Sequence, residues 1–207
     1  MLNPVMHIEM ADGGRIDVEL YPDITPNTVC SVIWLAGQGI YDGRDFYRVV
    51  RDFVIQTDCD IRPDIYDAGC DYIIDGEYRE SGHLTPQPRF EKYVVGMAGS
   101  GRDSNISSGS AFFIMTGEYE GLDGDFAVIG RVVAGFDVVD RINETPCNEK
   151  LFLGRIAFHT PKAPQRIGRL WVDTCGQSYP PPVTKKPTAE YLVKEQELDT
   201  LIDFYRD

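Results

Sequence analysis

Apolar and polar residues alternate through most of the hydrophobic runs of this chain, and only in a few stretches does the spacing become helical. Val5 to Met10 and Ile16 to Leu20 alternate on either side of Asp12-Gly13-Gly14, a strong turn signal, which predicts an opening β-hairpin. Thr25-Pro26 supplies an N-cap and a first-turn proline. Val29, Val32, Ile33 and Ala36 then recur at helical spacing until Gly37 to Gly39 ends the pattern, so a helix is expected there. Phe46 to Val50 and Phe53 to Thr57 are aromatic and β-branched runs parted by the polar pair Arg51-Asp52, which reads as two strands around a short turn. Further strands are predicted at Tyr93 to Met97, Ala111 to Thr116, Phe126 to Val133 and Ile167 to Thr174, with a short second helix at Asp137 to Ile142. Asp58 to Gly82 reads as a long loop with an extended piece near Tyr72 to Ile74, Gly99 to Asn105 as a loop, and Tyr119 to Asp125 as a connection.

Beyond the last strand, Tyr179-Pro180-Pro181-Pro182 and Lys185-Lys186-Pro187 form a stiff linker. Ala189 to Tyr205 follows, with Tyr191, Leu192, Leu198, Leu201, Ile202 and Phe204 on an amphipathic pattern, and predicts a helical tail that docks on its own body, on a second copy or on a partner. The expected division is one domain over residues 1–178 and a linker with tail over residues 179–207. A chain of 207 residues, 43% hydrophobic and 26% charged, is long enough to bury one sizeable core.

Charge narrows the choice of partners. A net charge of -13 repels phosphates, which argues against nucleic acid and against an anionic membrane surface. The amino terminus lacks a basic segment followed by an apolar core, and no run approaches the roughly 20 apolar residues of a membrane span, so a cytoplasmic location is expected. Cys30, Cys59, Cys70, Cys147 and Cys175 are an odd set without a CxxC pair, which fits reduced thiols. Cys59 and Cys70 with His83 match no zinc spacing, and neither metal nor cofactor is expected. Gly99 to Asn105 lacks the lysine and helix of a phosphate-binding loop.

The candidate chemistry lies in the first strand pair. With a period of two, Arg48 shares a face with Phe46 and Val50, and Val54 shares one with Gln56. A guanidinium on an apolar face is costly unless something accepts its N–H donors. Either a substrate carbonyl does so, or the head reaches water while the stem packs.

Four later stretches bear on that choice: Met97-Ala98-Gly99, Gly109 to Thr116, Leu122-Asp123-Gly124 with Ala127 to Val133, and Gly135 to Ile142. In their order and spacing, and together with Phe46-x-Arg48, Phe53 and Gln56, they resemble the cyclophilin type of peptidyl-prolyl cis-trans isomerase, in particular its bacterial cytosolic single-domain members. The resemblance runs from about His7 to Cys175. It implies a mainly β fold, a closed antiparallel eight-stranded β-barrel capped by two α-helices, with the helical tail appended. It implies catalysis by Arg48 supported by Gln56, a proline pocket of Phe53, Val54, Phe113 and Leu122, and a backbone-binding segment at Ala98 and Gly99. It also implies substrates among proline-containing peptides and unfolded or folded protein clients, and binding of cyclosporin.

Departures from the family gather at the rim of the implied site. Ala111 stands where a glutamine is usual, Gly121 where an aromatic residue or histidine is common, Phe126 and Tyr47 where histidine is frequent, and Thr57, Asp58 and Cys59 where two glycines and an aspartate are usual. Weakened substrate affinity and weakened cyclosporin binding are therefore expected, with Ala111, Gly121 and Phe126 counted among the substrate-contacting positions. The contrasting expectation is a proline-peptide adaptor that has kept the groove and lost turnover.

Overall fold

The computed structural model describes residues 2–58, 72–99, 105–152 and 156–186. The chain opens with the expected hairpin, β1 (Val5–Met10) and β2 (Arg15–Leu20). Gly13, at φ +93°, makes its turn, a backbone conformation that a side chain would strain. Met6, Ile8 and Met10 on one strand and Ile16, Val18 and Leu20 on the other are buried, so the alternation in the sequence becomes one inward face.

Helix α1 (Pro26–Gly37) follows and drives Val29, Val32, Leu35 and Ala36 into the same core. Its capping differs from expectation. Thr25 stands at the N-cap, yet its hydroxyl donates to the Val128 carbonyl at 2.9 Å and makes no cap hydrogen bond. Glu77, distant in sequence, takes that duty: its carboxylate accepts from Asn27 N at 3.1 Å, Thr28 N at 2.8 Å and the Thr28 hydroxyl at 2.7 Å.

Strands β3 (Arg48–Val50) and β4 (Val54–Thr57) form the tight pair predicted around Arg51-Asp52. Asp52, at φ +56°, is held there by Asn143, whose Oδ1 accepts its N–H at 2.9 Å. Next come β5 (Ile73–Asp75), β6 (Val94–Gly99), β7 (Ile106–Met115), β8 (Val128–Ala134) and α2 (Phe136–Asn143). Four two-residue strands, β9 (Cys147–Asn148), β10 (Leu151–Phe152), β11 (Ile156–Ala157) and β12 (Thr160–Pro161), precede the long β13 (Ile167–Asp173). Strand β7 begins five residues before its predicted start, because Ser107 and Ser108 carry no apolar alternation yet pair with β5, and Ser107 also with β6.

The main sheet runs β13-β1-β2-β8-β6-β7-β4-β3, with β5 beside β4 on the same edge of β7. It curls but does not close, which corrects the expectation of a closed eight-stranded barrel. Among the described residues its two ends are joined by an isolated bridge between Asp45 and Arg166 and by single hydrogen bonds beside it, not by a ladder between β3 and β13. The outer edge of β3 is taken instead by the excursion before β13, where the His159 carbonyl accepts the Val49 N–H at 2.9 Å.

Two cores result. The inner one gathers β1, β2, α1, α2 and the inward residues of the remaining strands, Val49, Ile55, Ile114 and Val95 among them. The other lies on the opposite face of β3, β4, β6 and β7 and holds Val50, Val54, Phe90, Val94, Phe113, Met115 and Val128. Phe46 corrects a second expectation. It lies in the inner core and not on the face of Arg48, because β3 begins only at Arg48 and Phe46 N is drawn to the Gln165 carbonyl at 2.9 Å.

The proline-rich linker folds back on the body. Asn27 grips both backbone groups of Val183, at 2.7 and 3.0 Å, and Lys185 exchanges two hydrogen bonds with Ile73 on the free edge of β5. The helical tail expected from Ala189 to Tyr205, most of the Asp58 to Gly82 loop, Ser100 to Ser104, Cys59 and Cys70 lie outside the described residues. His83, considered above as a metal ligand, hydrogen-bonds the Ile24 carbonyl at 2.8 Å. No helix among the described residues is long and apolar enough to cross a membrane.

Candidate active site

The registers of three strand pairs line up one transverse row. Arg48 on β3 faces Gln56 on β4, Gln56 faces Phe113 on β7, and Phe113 faces Gly96 on β6. The row one residue along, Val49, Ile55, Ile114 and Val95, points into the inner core, so the pleat presents a guanidinium, an amide and an aromatic ring together on the other face.

Arg48 is fixed at two of its nitrogens. Nε donates to the Ala157 carbonyl at 2.9 Å and Nη1 to Gln56 Oε1 at 2.8 Å. Gln56 is itself held at its other end, its Nε2 donating to the Tyr47 hydroxyl at 2.8 Å. Among the described residues nothing accepts from the Nη2 of Arg48. The guanidinium also stands 5.8 Å from the centre of the Phe53 ring. Burial presses its pKa downward, with Tyr47 acting in the opposite direction, yet arginine starts so high that the group stays charged.

Apolar residues gather beside it. Val54 and Phe113 are buried, with Phe53, Leu122, Phe126 and Ala98 half-buried around them in one cluster. Phe113 meets Phe126 edge-on at 5.9 Å and Phe90 at 5.6 Å. The Phe113 ring lies across β6 because residue 96 is glycine: a Cβ there would stand 2.5 Å from the ring of Phe113 and 2.6 Å from that of Phe90. Gly99 lies against Phe126, about one methyl contact away at 3.5 Å from where its Cβ would be.

The sequence expectations divide accordingly. Phe53, Val54, Ala98, Phe113, Leu122 and Phe126 come together, with Arg48 and Gln56 at one end. Ala111 is 4% exposed and stands outside that cluster, its N–H bonded to the Ser108 hydroxyl at 2.9 Å where the β6-β7 register shifts. Gly121 is exposed, with the Tyr119 ring lying over it. Thr57 is an ordinary strand residue paired with Phe112, and Asp58 accepts from the Ser110 hydroxyl at 2.6 Å.

Three contributors were not foreseen. The Ala157 carbonyl leaves no trace in a sequence, because any residue would supply it. Gly96 could have been found as a glycine interrupting an apolar strand, which signals close approach. Tyr47 was noted only as a departure, whereas it anchors Gln56.

Comparison with known proteins gives the family and the fold. The family model for cyclophilin type peptidyl-prolyl cis-trans isomerases matches residues 5–167. A probable peptidyl-prolyl cis-trans isomerase of Brucella suis biovar 1 (strain 1330) is 35% identical over 133 residues, 63% of this chain and 67% of that protein. Peptidyl-prolyl cis-trans isomerase B of Bacillus subtilis (strain 168) is 34% identical over 128 residues, 62% of this chain and 82% of that protein. Mouse peptidylprolyl isomerase domain and WD repeat-containing protein 1 is 33% identical over 146 residues, which span 70% of this chain but only 21% of that longer protein. Among solved structures, a cyclophilin type peptidyl-prolyl cis-trans isomerase of Cryptosporidium parvum superposes with a TM-score of 0.65 at 19% identity, covering 87% of this chain and 100% of that one. The same Cryptosporidium protein in the presence of the dipeptide ala-pro gives a TM-score of 0.64 at 19% identity, over 82% of this chain and 98% of that one. These structural likenesses concern the fold.

Proposed function

This chain belongs to the cyclophilin-type peptidyl-prolyl cis-trans isomerase family, and from that premise we propose that it rotates X-Pro bonds of peptides and protein clients with Arg48 as the catalytic donor. Rotation about the amide meets a barrier of roughly 18 to 20 kcal/mol, set by the partial double bond between carbon and nitrogen. No covalent bond has to break. What lowers the barrier is a group that binds the twisted amide better than either planar isomer. As the amide twists, the prolyl nitrogen loses conjugation, becomes pyramidal and can accept a hydrogen bond.

Arg48 is suited to give it. The observation that carries the reading is the guanidinium held on Nε and Nη1 beside an apolar cluster, with no acceptor at Nη2 among the described residues. A donor fixed before the reaction needs no reorganisation as charge localises on nitrogen, and such a donor is worth about 3 kcal/mol in comparable sites. Val54 and Phe113 would form the floor under the pyrrolidine ring, with Phe53, Leu122 and Phe126 as walls. Gln56 would orient Arg48 and touch the substrate backbone, while Ala98 and Gly99 would run alongside an extended peptide. The Cryptosporidium structure's dipeptide names the ligand class that we assign to this groove.

No proton changes hands in this scheme, so turnover should vary little with pH between ~6 and ~9, where arginine does not titrate. Residues 1–178 would be the catalytic unit, acting in the cytoplasm to speed slow prolyl steps in folding. Cyclosporin should bind weakly, since Ala111 brings no side-chain amide and Gly121 no side chain to the rim. Nanomolar inhibition by cyclosporin would contradict that last point.

The test is exchange between the cis and trans forms of a short proline peptide, followed by magnetisation transfer. Added protein should accelerate it, and Arg48→Ala should lose about 100-fold or more in kcat with the fold retained. Peptide binding without acceleration would mark an adaptor instead.

A further inference from the structure

At the rim stands an aromatic ring not yet given a part. Tyr119 is 53% exposed, and its ring meets that of Phe53 edge-on at 5.2 Å and 69°. Phe53 in turn lies 5.8 Å from the Arg48 guanidinium, so Phe53 contacts both the proposed donor and Tyr119. The position of the ring depends on its neighbour: a Cβ at residue 121 would stand 2.7 Å from Tyr119 Cε1. Any side chain there would contest the space that the ring occupies.

The backbone beneath Tyr119 is held firmly. Its N–H donates to the Phe90 carbonyl at 3.0 Å, and Asp123 Oδ1 accepts the Phe90 N–H at 2.8 Å. Arg89 joins the same turn through Asp123 at 3.2 Å and through Glu120. The phenol hydroxyl, by contrast, has no hydrogen-bond partner among the described residues. A tyrosine presents a large apolar face and a polar tip at small entropic cost, and here the loop has already fixed its root.

Resting on the isomerase reading of the groove, we infer that Tyr119 is a specificity-determining wall of the site. Its ring receives an apolar or aromatic side chain flanking the proline of an extended peptide, and the absence of a side chain at Gly121 lets it lie there. A wall that touches the residue beside the proline, and not the rotating amide, acts on binding. Its loss should raise KM for peptides with a large apolar neighbour and leave kcat nearly alone.

Two proline peptides that differ only in carrying Phe or Ala beside the proline make the test, with kcat and KM measured separately. The wild-type protein should favour the Phe peptide through KM. Tyr119→Ala should raise KM for that peptide about fivefold, the size of one aromatic contact, and change KM for the Ala peptide by less than about twofold. The double variant Tyr119→Ala/Gly121→Trp returns an aromatic ring to the same space and should recover the preference. An unchanged ratio of the two KM values in Tyr119→Ala overturns the inference, even where Arg48→Ala abolishes turnover. Should the wild-type protein fail to turn over either peptide, the isomerase reading falls, and the ratio of dissociation constants for the two peptides decides on Tyr119 alone. Equal binding of both by the wild-type protein overturns it.

Discussion

Arg48 owes its place to a relay of single residues, and each link can be broken separately. Gln56 ties the guanidinium at one end and the Tyr47 hydroxyl at the other. Gln56→Ala should therefore cost about 1 kcal/mol of stability, the worth of an ordinary hydrogen bond. Its larger effect should be on kcat, about tenfold, because the donor is then held by the Ala157 carbonyl alone. Stopped-flow turnover beside urea unfolding separates the two effects, and a loss of stability with kcat intact would deny Gln56 its part. Gly96→Ala tests the floor. Its new methyl would overlap the rings of Phe113 and Phe90, so a destabilisation of about 1 to 3 kcal/mol and a raised KM are expected. The pairing of Arg48 with Gln56 was legible in the sequence because a polar side chain amid alternating apolar ones stands out, whereas the gathering of Phe53, Val54, Phe113 and Leu122 was implied only by the family resemblance. The Ala157 carbonyl was not, since it depends on where a distant loop passes and not on which residue it carries.

Elements show the same division between local pattern and distant partner. The boundaries of β1, β2, α1 and α2 follow from alternation, helical spacing and glycine punctuation, all of them local signals. The cap of α1 does not. Thr25-Pro26 looked sufficient, but the threonine hydroxyl is drawn to Val128 and a carboxylate from outside the helix fills the vacancy. Glu77→Ala should accordingly destabilise the protein by about 1 to 2 kcal/mol in chemical unfolding, whereas Thr25→Val should act through the lost bond to Val128 and leave the cap in place. A neutral Glu77→Ala would show that water caps the helix equally well. The early start of β7 was hidden for a different reason: Ser108 satisfies the N–H groups of Ser110 and Ala111 where the ladder is irregular, so polarity there serves pairing and does not mark a loop.

For the whole molecule, composition and motif order led to the family and the mainly β class, but not to the way the sheet ends. Closure into a barrel failed because residues near His159 reach β3 before β13 can, a competition between distant segments that local periodicity does not encode. Charge adds a condition on stability. Asp12 is held below the usual carboxylate pKa by the Gly14 N–H and by Arg141, joining the first hairpin to α2. Burial raises Asp17, but hydrogen bonds from Arg15 and His7 outweigh it and its pKa is also lowered. A carboxyl depressed on folding contributes stability above its unfolded value of ~3.9, and that contribution disappears as pH falls through the folded value. Unfolding free energy should thus decline on acidification below about pH 4, and less steeply in Asp12→Asn; identical slopes would remove Asp12 from the account.

The central claim, that a rigid guanidinium presents one N–H to the twisting amide, is reached most directly by kcat for Arg48→Lys. Lysine keeps the charge but lacks the planar fork that bonds Ala157 and Gln56 at once and leaves a further N–H for the proposed substrate contact. A loss of about 100-fold in kcat, with an unfolding midpoint near that of the wild type, is the predicted result. Turnover equal to that of the wild type would contradict it.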